Sequence, residues 1–174
     1  MALRRHLMVS VTALAVGTMV TGPASAQPML SDQDRAYLVA SHQGHLAEIL
    51  SGTRAAVTMQ GNCAPVRQIG QLLMADHTRL DAMGAAVALP NAVMLPLTPN
   101  AEQTQQLLAT GMKTGQDFDR SWLLMQKDLH QQALAAGAQQ LATGYSEQVT
   151  ALARDAEPTI SHHLDLINEA LTRC

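Results

Sequence analysis

The feature that most restricts the fold is a polar, metal-capable side chain near the middle of each of four long segments with helical apolar periodicity. These side chains are Glu48, His77, His130 and His163. A buried imidazole or carboxylate needs a partner or an ion, because an unpaired polar group in an apolar interior costs several kcal/mol. All four are satisfied together if their helices bring them to one interior point. The pattern therefore predicts an all-α protein built around one polar site.

The depth of these side chains predicts the order of the helices. Each of the four side chains lies 11 to 14 residues from the expected helix end at one side of the bundle. These depths agree within about one helical turn, roughly 5 Å. They agree only if the second and third helices start at the same end, so a long crossover must join them. Residues 90–115, which include three prolines, are long enough. We therefore expect a ferritin-like four-helix bundle with a long crossover between helices 2 and 3.

Helix boundaries follow from capping and breaking residues. Ser31 followed by Asp34 resembles a capping box and begins a helix over residues 32–60. Pro65 suits the first turn of the second helix, and Pro90 ends it. The last two long helices are predicted over residues 116–142 and from 146 to the C-terminus. A short helix started by Asn100 is expected over 101–110, inside the crossover.

The N-terminal residues have the pattern of an export signal. Arg4 and Arg5 precede an apolar run over residues 7–20, and Ala-Ser-Ala at 24–26 suits signal-peptide cleavage. We therefore expect a cleaved signal peptide over residues 1–26 and a single domain over 27–174, located in the periplasm or secreted. The apolar run is short for a transmembrane span, so none is expected in the mature chain.

Cys63 and Cys174 are the two cysteines of the chain. An exported protein meets an oxidising compartment, in which paired thiols tend to form disulfides. The crossover topology places both cysteines at one end of the bundle, whereas a simple up-down-up-down order would place them at opposite ends. The sequence therefore predicts a Cys63–Cys174 disulfide that depends on the crossover, with two free thiols as the alternative.

The polar site is predicted to bind a transition-metal ion. Three inward histidines and a carboxylate at one depth suit one divalent zinc, copper, iron or manganese ion, among which ligand type does not choose. His77, His130, His163 and Glu48 are the expected ligands, and His45, one helical turn before Glu48, is a fifth candidate. The alternative hypothesis is a non-enzymatic envelope, stress or interaction protein, in which these groups form only a structural hydrogen-bond network.

Several function classes are excluded by composition and motif. The mature chain carries nine Lys and Arg against fourteen Asp and Glu, which argues against nucleic acid as a partner. It has no Glu-x-x-His pair, as di-iron carboxylate bundles have, and no recognised hydrolase or phosphate-binding motif. We therefore expect no catalytic residues. Enzymatic use of the ion requires an open coordination position, which sequence does not show. The sequence does not identify protein partners either.

Four stretches together resemble the bacterial exported proteins of the domain of unknown function family 4142, which have a ferritin-like fold. They are Gly-His-Leu-Ala-Glu at 44–48, Met-Ala-Asp-His at 74–77, Phe-Asp at 118–119 with a histidine at 130, and Pro-Thr-Ile-Ser-His-His-Leu at 158–164. The family pattern maps onto Glu48, Asp76, His77, Asp119, His130 and His163. His45 and Trp122 depart from it, since the family usually has a small or apolar residue and a tyrosine there. The resemblance implies fold and export and supplies no activity.

Overall fold

All regular structure in the computed structural model, which describes residues 30–58 and 60–174, is helical. The helices are α1 (Asp32–Ala56), α2 (Ala64–Ala88), a 3-10 turn (Leu89–Asn91), α3 (Ala101–Gly111), α4 (Gly115–Thr143) and α5 (Glu147–Leu171). The predicted all-α class is confirmed, with α4 and α5 as the third and fourth long helices. The signal peptide predicted over residues 1–26 lies outside the described residues. No helix within them is both long and apolar enough to cross a membrane.

The helix starts follow the predicted capping residues. Ser31 Oγ accepts from the backbone N–H of Asp34 (3.1 Å), and the Asp34 carboxylate accepts from the Ser31 N–H (2.9 Å). Asn100 forms the same reciprocal arrangement with Gln103 at the start of α3. The prediction was wrong at the end of α1, which stops at Ala56 rather than at residue 60. There the chain turns so that the N–H of Gly61 reaches the carbonyl of Ala55 (3.2 Å).

Contacts at the helix ends establish the directions of the long helices. Near the start of α4, the Asp119 carboxylate accepts from the N–H groups of Asn62 (2.9 Å) and Cys63 (2.7 Å), which immediately precede α2. Helices α2 and α4 therefore begin at the same end of the molecule. Residues 89–114 must return along the length of the helices, and α3, which lies in this crossover, contacts α1 and α4.

A buried carboxylate fastens the opposite end. Asp34 is fully buried and accepts hydrogen bonds from the backbone N–H groups of Tyr145 (3.1 Å) and Ser146 (3.0 Å) and from the side-chain amide of Gln140. Burial alone would raise the pKa of Asp34, but these bonds and those from Ser31 outweigh it, and the pKa is lowered. One carboxylate thus joins the start of α1 to the connection between α4 and α5.

Helices α1 and α2 approach closely because both carry glycine at their contact. A Cβ atom added to Gly52 would lie 2.5 Å from the carbonyl oxygen of Gly70, and one added to Gly70 would lie 3.0 Å from the carbonyl oxygen of Gly52. Any larger side chain would separate the helices. This contact lies one turn along α1 from Glu48, so it brings α2 close to the polar site.

The core consists of apolar layers separated by a polar one. One cluster, around Leu73, Trp122 and Ile167, fills the end near the disulfide. Two others, around Leu38 with Val149 and around Leu80 with Ile160, fill the other half. Between these layers, the four polar residues of the sequence pattern are all buried. All four side chains are therefore in the interior, as the sequence pattern predicted.

The predicted disulfide is confirmed. Cys63 and Cys174 are bonded, with Cα atoms 6.0 Å apart and a sequence separation of 111. The bond joins the residue before α2 to the end of the chain after α5. It therefore crosslinks the end of the molecule at which Asp119 also joins α4 to the start of α2.

Replacing Asp34 by asparagine should lower the free energy of unfolding by about 2–4 kcal/mol at pH 7, because several buried donors lose a charged acceptor. Urea titration measures this. Because the pKa of Asp34 is lowered in the folded protein, its contribution to stability is present above the unfolded pKa of 3.8. That contribution is lost as the pH falls through the folded pKa. The variant should therefore lose less stability in acid than the wild type. Asp32→Asn, an exposed acid two residues earlier, should change little; equal losses would contradict the assignment.

Removing the disulfide by a Cys63→Ser, Cys174→Ser double substitution should lower the free energy of unfolding by about 2–5 kcal/mol, because the long loop it closes is freed in the unfolded chain. Urea titration of both proteins gives the difference. As a control, a thiol alkylator should leave the mass of the unreduced wild type unchanged. Two labelled cysteines in that control would contradict the bond.

Candidate metal centre

Three histidines from three different helices meet in the polar layer. His77 comes from α2, His130 from α4 and His163 from α5, and all three are buried. Their ring centroids are 5.4 to 5.6 Å apart. One ring nitrogen of each lies within 4.8 Å of the others, so the three could hold one ion. These are three of the residues that the sequence pattern brought together.

The hydrogen bond of His130 to its own helix determines which of its nitrogens is free. Its Nδ1 lies 2.8 Å from the backbone carbonyl of Gln126. A carbonyl oxygen only accepts, so Nδ1 carries the proton and donates. In the neutral ring, Nε2 then presents a lone pair to the interior of the triad.

His163 is oriented in the same manner by a carboxylate. Its Nε2 donates to Asp76 Oδ2 at 3.0 Å, so in the neutral ring the lone pair is on Nδ1. Asp76 immediately precedes His77 on α2, and its carboxylate is partly exposed. A carboxylate behind an imidazole is a common arrangement for metal-ligating histidines, because it sets both the tautomer and the ring orientation.

Two lone pairs therefore face each other inside the triad. His130 Nε2 and His163 Nδ1 are 3.4 Å apart, and neither has a proton to share when both rings are neutral. Two acceptors at this distance repel each other unless a cation or a proton lies between them. The distance also matches the separation of about 3.3–3.4 Å between two tetrahedral nitrogen ligands at 2.0–2.1 Å from zinc.

His77 presents the third nitrogen, and His45 supports it. His45 Nδ1 lies 3.0 Å from His77 Nδ1, so these two atoms share a proton. His77 Nε2 is buried and has no hydrogen-bond partner within the described part of the chain. Unsatisfied buried nitrogens are rare in proteins. When the shared proton is on His77 Nδ1, Nε2 carries a lone pair, which an ion in the triad would satisfy. His45, the fifth predicted ligand, thus lies behind a member of the triad.

Glu48 contacts the triad from the outside. Its carboxyl Oε1 lies 3.4 Å from His130 Nδ1, the nitrogen on the far side of the ring from the free lone pair. When its amide is oriented with the oxygen towards Ser51, Gln126 donates to the Glu48 carboxyl group. The structure thus places Glu48 beside the predicted site, in contact with one histidine, and outside the group of three nitrogens.

Burial keeps the site neutral in the absence of an ion. It raises the pKa of Glu48 well above its usual value, despite the hydrogen bond from Gln126. Burial lowers the pKa of His130 to about 4 and that of His45 to about 4. Burial lowers the pKa of His77 well below its usual value, and the neighbouring histidines add to the effect. Burial also lowers the pKa of His163, although the bond to Asp76 opposes this. Neutral imidazoles are the form that binds metal ions.

The remaining polar residues of the sequence pattern lie elsewhere. His162 is exposed. His42 bonds Asp81 (2.6 Å) and the carbonyl of Pro96 (2.7 Å), which ties α1 to α2 and to the crossover. Asp119 caps the start of α2 at the disulfide end. Gln126 was not predicted, although its position four residues before His130 on one helical face could have indicated it.

An all-helical protein with a buried histidine triad is the class that this fold and site define. The chain belongs to the family described as a domain of unknown function, DUF4142, which matches residues 20–169. This confirms the family resemblance. A solved structure, a DUF305 fragment from Deinococcus radiodurans, has a TM-score of 0.73 and 14% identity, covering 84% of this chain and 100% of that one. That likeness shows the fold alone. No curated protein matches the chain.

The lowered histidine pKa values predict an acid-labile apo protein. Unfolded histidines titrate near 6.5 and folded His130 near 4, so between these values the unfolded chain binds more protons. The contribution of the histidines to stability should therefore be complete above pH 6.5 and fall as the pH decreases towards 4, while the raised pKa of Glu48 opposes it with one proton. The expected loss from His130 is on the order of 2 kcal/mol by pH 4.5, measured by urea titration in a chelator. His130→Leu should flatten this dependence, whereas His162→Leu should retain it; equal profiles would contradict the assignment.

Proposed function

We propose that the protein binds one divalent transition-metal ion through His77 Nε2, His130 Nε2 and His163 Nδ1. The observation that carries the proposal is the pair of facing lone pairs, 3.4 Å apart, beside a third buried nitrogen without a partner. A cation removes the repulsion and satisfies all three atoms at once. A structural core has no need to orient three imidazoles in this way.

The other predicted ligands support the three histidines from outside in this proposal. Asp76 holds His163, His45 holds His77, and Glu48 contacts the protonated nitrogen of His130. Such outer contacts orient ligands and raise their basicity, and their loss typically costs 10–100-fold in metal affinity. Glu48 and His45 thus belong to the site without supplying the first three bonds to the ion.

The donor set narrows the choice of ion. Imidazole nitrogens suit zinc, copper and iron, whereas manganese prefers carboxylate and water oxygens. Three neutral histidines with one open position resemble catalytic rather than closed structural zinc sites, which have four protein ligands. The proposal therefore favours zinc, copper or iron over manganese, and it leaves the ion accessible to an external ligand.

Export and topology complete the proposal. The N-terminal signal pattern and the Cys63–Cys174 bond both suit an oxidising compartment, in which disulfides persist. We infer a single mature domain beginning at residue 27 in the periplasm or outside the cell. The common starting end of α2 and α4, together with the crossover, supports a ferritin-like four-helix bundle.

One observation favours the alternative of a purely structural network. The polar groups of Glu48, Gln126 and Ser51 are bonded to one another, and Trp122 Nε1 donates to the Ser51 carbonyl (3.1 Å). This network joins α1 to α4 without an ion. A protein that used its polar layer only in this way would be an envelope or interaction protein, and its stability would not depend on metal.

Metal titration of protein made without a histidine tag separates these functions. We expect about one equivalent of zinc or copper to bind and the melting temperature to rise with ion concentration, because an ion that binds only the folded state stabilises it. His163→Ala should reduce affinity by about 100-fold or more, since one of three ligands is lost. His162→Ala, its exposed neighbour, is the matched control and should bind normally.

Less than about a tenth of an equivalent of any transition metal after dialysis against the ion would reject a specific site. The same result with unchanged stability would favour the structural network. His130→Leu adds a second comparison, since it should remove the stabilisation by metal whether or not it destabilises the apo protein.

A further inference from the structure

A cavity of about 220 Å³ lies beside the histidine triad, between α1, the start of α3 and α4. His77 and His130 form part of its wall, together with Glu48 and His45. The cavity reaches the surface near Ala40 and Gln132, which line it and are exposed. It therefore connects the polar layer with solvent.

The triad is open towards this cavity and closed on the opposite side. His163 does not line the cavity and is held from behind by Asp76. An ion between the three nitrogens borders the cavity, because two of its three ligands form the cavity wall. With three protein ligands, a tetrahedral ion has one position left for an external ligand, and the cavity is the route by which such a ligand arrives.

Charge favours an anion at that position. Three neutral imidazoles leave both charges of a divalent ion uncompensated in a buried site, where charge is costly. Two carboxyl groups contact the ligands: Asp76 is bonded to His163 and partly exposed to solvent, and Glu48 lies against the outer nitrogen of His130 rather than against the ion. A negatively charged external ligand would compensate the remaining charge where the cavity meets the ion.

The rest of the cavity wall is mostly apolar and carries two side-chain hydrogen-bond donors. Leu129, Ala133 and Ile160 supply apolar surface. Tyr37 is buried, yet its hydroxyl forms no hydrogen bond within residues 30–58 and 60–174. The side-chain nitrogen of Gln103 lies 3.9 Å from the place a Cβ would take at Gly44, a position that also lines the cavity. Both groups are donors that an anion's oxygens could accept from.

We propose that this cavity binds a small organic carboxylate, with its head group on the ion and its apolar part along α4. The inference depends on the proposed metal site and adds the class of ligand that site takes. Size agrees, since a cavity of about 150 Å³ accommodates benzene. A molecule with roughly six to nine non-hydrogen atoms therefore fits.

Cobalt(II) provides a test that separates ligand binding from metal binding. The full chain is loaded with cobalt, whose visible absorption reports its coordination, and is then titrated with benzoate. We expect the cobalt bands to appear first and then to change saturably as benzoate takes the open position. Benzamide, a neutral molecule of the same shape, should produce a much smaller change because it leaves the ion's charge uncompensated.

Two glycine substitutions locate the ligand. Gly44→Leu places a side chain in this cavity, where the new Cβ meets only the Gln103 amide. Gly137→Leu is the comparison variant: it lies within α4, has open space around the new Cβ and lines a neighbouring cavity, which shares Tyr37, Ala133 and Ile160 with the first. Gly44→Leu should weaken benzoate binding by about tenfold or more, since overlap with a buried ligand is costly. Gly137→Leu should leave it within about twofold.

Tyr37→Phe keeps the inference testable if Gly44→Leu fails to fold. It removes a hydroxyl that has no structural partner, so the cobalt spectrum and the melting temperature should not change. Benzoate affinity should fall by about three- to tenfold, the effect of losing one hydrogen bond to a charged ligand.

Cobalt bands that do not respond to benzoate would overturn the carboxylate site while leaving the metal site intact. Equal weakening by Gly44→Leu and Gly137→Leu, or no weakening by either, would place the ligand elsewhere and overturn it as well. Absence of cobalt bands in the wild type would reject the metal site itself, and the carboxylate site with it.

Discussion

The arrangement of the polar layer depends on the two imidazole nitrogens of His130 and His163, whose lone pairs face each other at 3.4 Å. Each is committed to this orientation by the proton on its other nitrogen, which donates to the Gln126 carbonyl in one case and to Asp76 in the other. Because both partners are pure acceptors, neither ring can reverse its tautomer without losing a bond. The fold thus fixes two lone pairs, on His130 Nε2 and His163 Nδ1, in positions where both attract a cation.

Two buried carboxylates maintain the geometry of this layer from a distance. Asp34 binds backbone N–H groups between α4 and α5, and Asp119 binds those that precede α2. Each therefore joins helices that are far apart in sequence. The Cys63–Cys174 bond lies at the Asp119 end. With both ends fastened, the depth at which each histidine enters the core cannot shift by a turn, and three ring nitrogens can meet to within a few ångströms.

The sequence predicted which residues form the candidate site, but not which of their atoms face its interior. Helical periodicity and equal depth identified three histidines and Glu48, because a regular helix converts residue counts into distances. The same reasoning gave Glu48 and the histidines the same role, since it carries no information on which ring nitrogen faces inward. In the structure, Glu48 contacts the outer nitrogen of His130, and His45 contacts His77. Gln126, whose carbonyl orients His130, was missed because every residue type has a backbone acceptor, so only its spacing of four residues from His130 could have indicated it.

The sequence by itself determined the all-helical class and most helix boundaries, which depend on local propensity, and the family, which depends on four short motifs. It predicted the disulfide only together with the crossover. It misplaced the end of α1, where the chain instead closes a turn through Gly61. Only the tertiary structure decided how Asp34 and Asp119 join separate helices, and that the triad borders a cavity. Those features depend on side chains from helices distant in the chain, whose mutual rotation and spacing are set by packing, as at Gly52 and Gly70, rather than by any local pattern.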